Sequence, residues 1–304
     1  MRTWAALFFT LSLSFLTTKI SAGTTEASSD PGVPIYRVTS SEVHVAITAV
    51  TDHNLAVNDL SASDFVLLRD GRPVEQVVAF EKHHQASLSA LVLSDVSDSM
   101  LPGLAMERSA AQWLQTNSDA DHDRLVFFDF GTEVSALKAS DPHKDHLTSL
   151  YDAALKTIPQ IALNGAMAGN GRRALILLTD GDDNSSLHGL DDVIACAQKY
   201  DVAIYAITAR PSKKQFVEVS VLERLTGETG GRFYQVRNPR QMDAAISEVN
   251  DELRNGYELV FRPDVASPGD HQLEIRSSNR KLRFHYRTGY YQPATRSVEV
   301  ASSE

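Results

Sequence analysis

Five oxygen-bearing side chains have types and spacing that suit a metal ion. They are Asp95, Ser97, Ser99, Thr148 and Asp180. The first three follow the apolar run 90–93, and alternate residues of an extended segment project to one side. The fourth precedes a predicted helix, and the last follows the apolar run 174–178. Two carboxylates and three hydroxyls form a hard, all-oxygen donor set, so we predict one Mg²⁺, Mn²⁺ or Ca²⁺ ion at these residues.

The elements around these residues alternate between strand and helix. Short, apolar segments predict strands buried on both faces of a parallel sheet. They are Ala90–Leu93, Leu125–Phe128, Ala174–Leu178 and Val202–Ile207, with Gly231–Val236 as a further strand. Apolar residues three and four apart predict helices at 102–116, 149–159, 188–199, 217–227 and 239–254. This alternation predicts an α/β fold with a doubly wound, mostly parallel sheet, which binds ligands beyond the carboxyl ends of its strands.

The two ends of the chain predict a second, all-β part. Val43, Val45 and Ile47 alternate with their neighbours, and the same period of two returns over 257–261 and 282–286. Too few strands lie at either end to be stable alone, so we predict that both ends pair into one small β-sandwich. The predicted organisation begins with a signal peptide (1–22) and a flexible leader (23–34). A β-sandwich framework in two segments (35–85 plus 256–293) flanks a central α/β domain (86–255), and a flexible tail follows (294–304).

The first residues indicate export. Arg2 precedes an uncharged, mostly apolar run, Trp4–Leu16, and small residues end at Ala22, which is typical of a signal peptide. The run is shorter than the roughly 20 residues of a membrane span, so we expect cleavage, no stable membrane insertion, and a periplasmic or extracellular location. Cleavage moves the formal net charge from -10 to -12, because Arg2 and Lys19 are lost without any acid. This acidic balance disfavours nucleic acid as a partner.

Three motifs resemble the metal-ion-dependent adhesion site of von Willebrand factor type A domains. Residues 95–99 match its D-x-S-x-S element, while 148–153 and 178–181 look like its Thr and Asp elements in the expected order. The resemblance covers about residues 86–255. It implies that the two serines coordinate the ion directly, that Thr148 does so in some states, and that the aspartates often act through water. Asp98 departs from the pattern, because many members carry Gly there, and its carboxylate could attract cations or repel an acidic ligand.

The ends of the chain resemble a bacterial subfamily in which this Rossmann-like domain is embedded in a β framework. The matching motifs are Asp64-Phe65, Asp70-Gly71-Arg72-Pro73, Val78-Ala79-Phe80 and Arg287-Thr288-Gly289-Tyr290-Tyr291. This resemblance accounts for both β segments.

Each metal-site motif also has a purely structural interpretation. The two serines could cap the next helix, Thr148 could cap the helix after it, and Asp180-Gly181 could form only a turn. Taken together, five oxygen-bearing residues at three predicted junctions favour the metal site.

Two other patterns imitate metal sites. Residues 180–184 look like the opening of an EF-hand loop, but Ser185 stands where glycine is needed. We therefore interpret Asp182 and Asp183 as solvated residues at the rim of the metal crevice. His143 and His146 have a spacing found in zinc sites, but no second ligand pair accompanies them, which favours a loop.

The leading functional hypothesis is a binding module rather than an enzyme. The sequence contains no G-x-S-x-G element, phosphate loop or dinucleotide fingerprint. The expected partner is a protein with an exposed Asp or Glu, whose carboxylate replaces a water on the ion. One alternative is a metal-independent structural or assembly subunit. A less favoured one is a metal-assisted hydrolase with Asp98 or Asp182 as general base.

Overall fold

The computed structural model describes most of the chain beyond residue 41. The described ranges are 42–53, 55–100, 102–136, 147–164, 171–209, 216–263, 267–277 and 279–294. They belong to one compact unit, Thr39–Glu304. The signal peptide, the leader, the two histidines at 143 and 146, and all but the first residue of the tail lie outside the described residues. What the sequence indicates for these segments stays a prediction.

The described residues form fourteen strands and five α-helices. The strands are β1 (Val43–Thr51), β2 (Val66–Arg69), β3 (Arg72–Pro73), β4 (Val77–His83), β5 (Leu88–Asp95), β6 (Arg124–Phe130), β7 (Val134–Ala136), β8 (Arg172–Leu178), β9 (Ala203–Thr208), β10 (Phe233–Gln235), β11 (Gly256–Phe261), β12 (Gly269–Arg276), β13 (Leu282–His285) and β14 (Gly289–Gln292). The helices are α1 (Leu104–Thr116), α2 (Leu150–Asn164), α3 (Leu190–Tyr200), α4 (Phe216–Thr229) and α5 (Pro239–Arg254). None of these helices combines the length and apolar content that crossing a lipid bilayer requires.

The central sheet has six strands in the order β10-β9-β8-β5-β6-β7. The first five are parallel to one another, and β7 adds to β6 in the antiparallel direction at one edge. All eight residues of β5 are buried, because α2, α3 and α4 cover one face of the sheet while α1 and α5 cover the other. The predicted doubly wound α/β sheet is confirmed.

The two ends of the chain form a pair of antiparallel sheets. Their strand orders are β13-β1-β11-β4 and β14-β12-β2-β3, so each sheet combines strands from both ends. In β1 every second residue from Val43 to Ala49 points inward, where it packs with Leu67 of β2 and Leu273 of β12. This shared core confirms the predicted β-sandwich, and the alternation that predicts it follows from having one buried and one outward face.

Helix α2 and strand β7 of the central sheet differ from the sequence prediction, and strands β3, β12 and β14 of the β framework are absent from it. Helix α2 continues to Asn164, whereas the pattern predicts an end at Pro159. Proline removes one N–H from the helix. Ile158 and Ile161 on either side of it are buried in the core, and this packing stabilises the helix despite the lost hydrogen bond. Strand β7 is missing from the prediction because its three residues are too short to show a period.

Candidate metal centre

Asp95 ends the central strand β5 and its side chain is buried. The amide of Ser97 donates to its Oδ1 (3.0 Å), and the hydroxyl of Thr179 donates to its Oδ2 (2.8 Å). Burial raises the pKa of Asp95 to about 6; the donors from Ser97 and Thr179 oppose this shift, and the charge of Asp180 adds to it. Both oxygens are therefore held in place at the carboxyl edge of the sheet, beside a second carboxylate.

The two serines follow in a tight turn. The amide of Val96 donates to the carbonyl of Phe130 (2.9 Å), and that of Met100 donates to the carbonyl of Ser97 (3.0 Å), within the 3-10 turn Asp98–Met100. The hydroxyls of Ser97 and Ser99 lie 3.1 Å apart. Neighbouring ligands of an octahedral Mg²⁺, each about 2.1 Å from the ion, lie about 3 Å apart. The spacing of the hydroxyls fits one edge of such an octahedron.

Asp180 follows β8, the strand beside β5. It is buried, its Oδ1 accepts from the amide of Asp182 (3.3 Å), and its Oδ2 has no hydrogen-bond partner among the described residues. Gly181 has a φ of +89°, and a Cβ there would lie 3.0 Å from Leu222, so the turn after Asp180 requires glycine. A buried carboxylate oxygen without a donor is an acceptor suited to a cation.

Thr148 lies just before α2 and is buried. Its amide donates to Oδ1 of Asn184 (2.8 Å), and its carbonyl accepts from the amides of Asn184 (3.0 Å) and Ser185 (3.2 Å). The backbone of Thr148 is therefore fixed by the loop that follows Asp180. This loop therefore connects Thr148 to Asp180, the second carboxylate of the predicted site.

The same loop caps helix α2. The carboxylate of Asp183 accepts from the amide of Tyr151 (3.0 Å) and from the amide (3.1 Å) and hydroxyl (2.6 Å) of Ser186. The hydroxyl of Ser186 in turn accepts from the amide of Asp152 (3.1 Å). The interpretation of Asp183 as a solvated rim residue is therefore wrong, because its carboxylate accepts the free N–H of Tyr151 in the first helical turn and holds the hydroxyl of Ser186, which accepts that of Asp152.

Glu107 is a residue that the sequence interpretation missed. It lies on α1 with none of its surface exposed, and neither carboxylate oxygen has a hydrogen-bond partner among the described residues. Burial raises its pKa well above the ordinary value, the charges of Asp95 and Asp180 add to this shift, and Arg108 opposes it. Glu107 shares the buried face of α1 with Ala110 and Ala111, and this helical spacing is the signal that could have identified it.

The described residues contain no group of three or more His, Cys, Asp or Glu side chains arranged to hold a metal. The predicted site is of another kind, because hydroxyls supply three of its five donors. The structure brings Asp95, Ser97, Ser99 and Asp180 to the adjoining ends of β5 and β8, with Thr148 fixed to the loop after Asp180. This oxygen-only set fits the preferences of Mg²⁺, Mn²⁺ and Ca²⁺.

Residues 129–249 match the family model of the von Willebrand factor type A domain. The matched segment contains Thr148 and Asp180 and begins after Ser99. Together with the parallel sheet and its flanking helices, this match confirms the resemblance found in the sequence, and the chain contains a von Willebrand factor type A domain. Such domains are in general protein-interaction modules rather than enzymes.

Solved structures with a similar fold come from distant proteins. Proximal thread matrix protein 1 from the mussel byssus is 15% identical with a TM-score of 0.44, and the match covers 57% of this chain and 49% of that chain. An aerotolerance-related membrane protein from Bacteroides fragilis NCTC 9343 is 13% identical with a TM-score of 0.41, and the match covers 55% of this chain and 98% of that chain. The chain thus spans about half the length of the mussel protein. A search of curated proteins finds no match.

Proposed function

We propose that this protein is a metal-dependent binding module that recognises an acidic group of a protein partner. In this proposal Asp95, Ser97, Ser99, Thr148 and Asp180 hold one Mg²⁺, or Mn²⁺ or Ca²⁺ in its place. The observation that carries the proposal is Oδ2 of buried Asp180, which has no hydrogen-bond partner among the described residues and belongs to the same sheet edge as Asp95 and the pair of serine hydroxyls 3.1 Å apart.

The residues of the chain would divide the work of holding the ion. Ser97 and Ser99 offer neutral hydroxyls, while Thr179 keeps the carboxylate of Asp95 in one orientation. Asn184 fixes the backbone of Thr148 against the loop that follows Asp180. A bound divalent cation supplies positive charge that attracts a carboxylate, and only two of the five proposed ligands are carboxylates.

Apolar side chains beside the crevice suit a protein partner. Leu187 lies in the loop after β8 and is 91% exposed, and Leu147 precedes Thr148 and is 47% exposed. The backbone amide of Leu187 is held by Asp152 in the first turn of α2 (3.0 Å), so an exposed leucine is presented from a fixed loop. A partner with an acidic residue next to an apolar one would satisfy both the ion and these leucines.

The proposed setting of this module is outside the cytoplasm. The apolar run Trp4–Leu16 with small residues ending at Ala22 supports export to the periplasm or beyond. The β framework, 35–85 plus 256–293, would set the orientation of the binding crevice relative to neighbouring molecules. This division of the chain rests on the pairing of strands from both ends.

A pair of matched peptides tests the recognition of a carboxylate. Mn²⁺ bound to the protein relaxes water protons strongly while water occupies its open positions. We expect the peptide Ac-Gly-Glu-Gly-NH2 to lower this relaxation by displacing a coordinated water, and Ac-Gly-Gln-Gly-NH2 at the same concentration to leave it unchanged. The measurement is the longitudinal relaxation rate of water during each titration.

The control for this experiment is the Thr148→Ala variant loaded with Mn²⁺. It removes one donor of the proposed site, so the response to the Glu peptide should be weaker. A Glu peptide that acts no differently from the Gln peptide on the loaded native protein would contradict the proposed recognition.

A further inference from the structure

Glu107 is a buried carboxylate whose position needs an explanation. It shares the inner face of α1 with Ala110 and Leu114, which pack against β5 and β8. None of its surface is exposed, and both of its oxygens lack hydrogen-bond partners within the described part of the chain. Burying a carboxylate without partners is costly for a fold, so such a group is retained where something else compensates it.

The charges around Glu107 are mostly negative. Asp95 and Asp180 both act on Glu107 through their charge. The neighbouring cation, Arg108, forms an ion pair with Asp129. It donates to this carboxylate from both Nη1 (2.8 Å) and Nη2 (2.9 Å). In the part of the chain that the structure describes, Glu107 therefore has no cation of its own.

The geometry points to a role for Glu107 at the proposed cation site. Resting on the proposed function, we propose that Glu107 is a further carboxylate of that site and acts on the ion through a bridging water. The described residues contain no group of three carboxylates arranged to hold a metal directly, so the proposal places a water between Glu107 and the ion. Oδ2 of Asp180, which has no hydrogen-bond partner in the described ranges, would offer such a water a second acceptor. Carboxylates in this outer position commonly change metal affinity by about 10- to 100-fold.

Calorimetric titration with MnCl2 tests this role. The Glu107→Gln variant keeps the size of the side chain and removes its charge, and we expect the Kd for Mn²⁺ to rise about tenfold. The increase in melting temperature on adding Mn²⁺ should shrink in parallel. Glu252→Gln is the matched control, because the side chain of Glu252 is only 8% exposed but pairs with Arg232. Its Kd for Mn²⁺ should equal that of the native protein. Glu107→Met is the second variant if Glu107→Gln does not fold.

The outcomes separate this inference from the proposed function. Mn²⁺ binding by the native protein with an unchanged Kd in Glu107→Gln would overturn the role of Glu107 and leave the cation site standing. Absence of Mn²⁺ binding by the native protein would overturn both. A raised Kd in Glu107→Gln, but not in Glu252→Gln, supports the inference.

Discussion

The hydroxyl of Thr179 donates a hydrogen bond of 2.8 Å to Oδ2 of Asp95. This bond joins the carboxyl ends of β8 and β5, at the edge of the sheet where the cation is proposed to bind. The same hydroxyl accepts from the amide of Gly181 (3.1 Å), so the turn that carries Asp180 is tied to the orientation of Asp95. A side chain absent from the five predicted ligands thereby links the two carboxylates.

Replacing Thr179 with Val should destabilise the protein. The variant keeps the shape of the side chain but leaves a buried carboxylate oxygen without its donor, which costs about 1–3 kcal/mol. Urea denaturation of the metal-free protein measures this loss. Thr157→Val is the matched control, because Thr157 is equally buried but donates only to carbonyls of its own helix. Equal losses in the two variants would contradict a special role for Thr179.

Replacing Asp183 with Ala should weaken both the fold and metal binding. The loss of its bond to the amide of Tyr151 in the first turn of α2 should cost about 1 kcal/mol, as for other helix caps. The loop that holds Thr148 would loosen at the same time, so the Kd for Mg²⁺ should rise.

The control for Asp183 is Asp192→Ala. Asp192 accepts from the amide of Gly189 (2.9 Å) at the start of α3, so it is also a capping carboxylate. Its loss should reduce stability by a similar amount with no change in metal affinity. Calorimetry with MgCl2 distinguishes the two variants, and parallel changes in affinity would show that the loop at Asp183 has no specific role.

His285 should make the protein less stable in acid. Burial lowers the pKa of His285 from 6.5 to about 4, with further lowering by Arg232 and Arg283. The unfolded chain therefore binds a proton first as pH falls, so stability decreases between pH 6.5 and about 4 and the loss is complete below that range. At about 1.4 kcal/mol per pKa unit the full effect is about 3 kcal/mol. Urea denaturation across this pH range should show a smaller decrease for His285→Leu, and equal decreases would contradict the assignment.

The sequence predicts the central sheet well because its strands are buried on both faces. Fully apolar runs such as 174–178 leave few alternatives to a parallel strand covered by helices. The framework is predicted for a different reason: β1 has one inward face, so its residues alternate. Both patterns are local. They predict where each strand lies in the sequence, but they do not predict which strands pair with one another.

The parts that the sequence does not predict depend on contacts across the fold. Asp183 looks solvated in a run of polar residues, and only the approach of α2 shows that it caps a helix 32 residues away in the chain. Pro159 marks a helix end by local rules, which the burial of Ile158 and Ile161 overrides. Glu107 breaks an apolar face of α1, and its significance becomes visible when the positions of the other carboxylates are known.

The most direct test of the cation site is calorimetric titration of the protein with MgCl2, MnCl2 and CaCl2. The titration is repeated on the Asp95→Ala/Ser97→Ala double variant, whose folding is checked by circular dichroism. We expect saturable binding of at least one cation by the native protein and no binding by the folded double variant. Equal heats from both proteins, or no heat from either, would contradict the metal site and favour a metal-independent structural or assembly role.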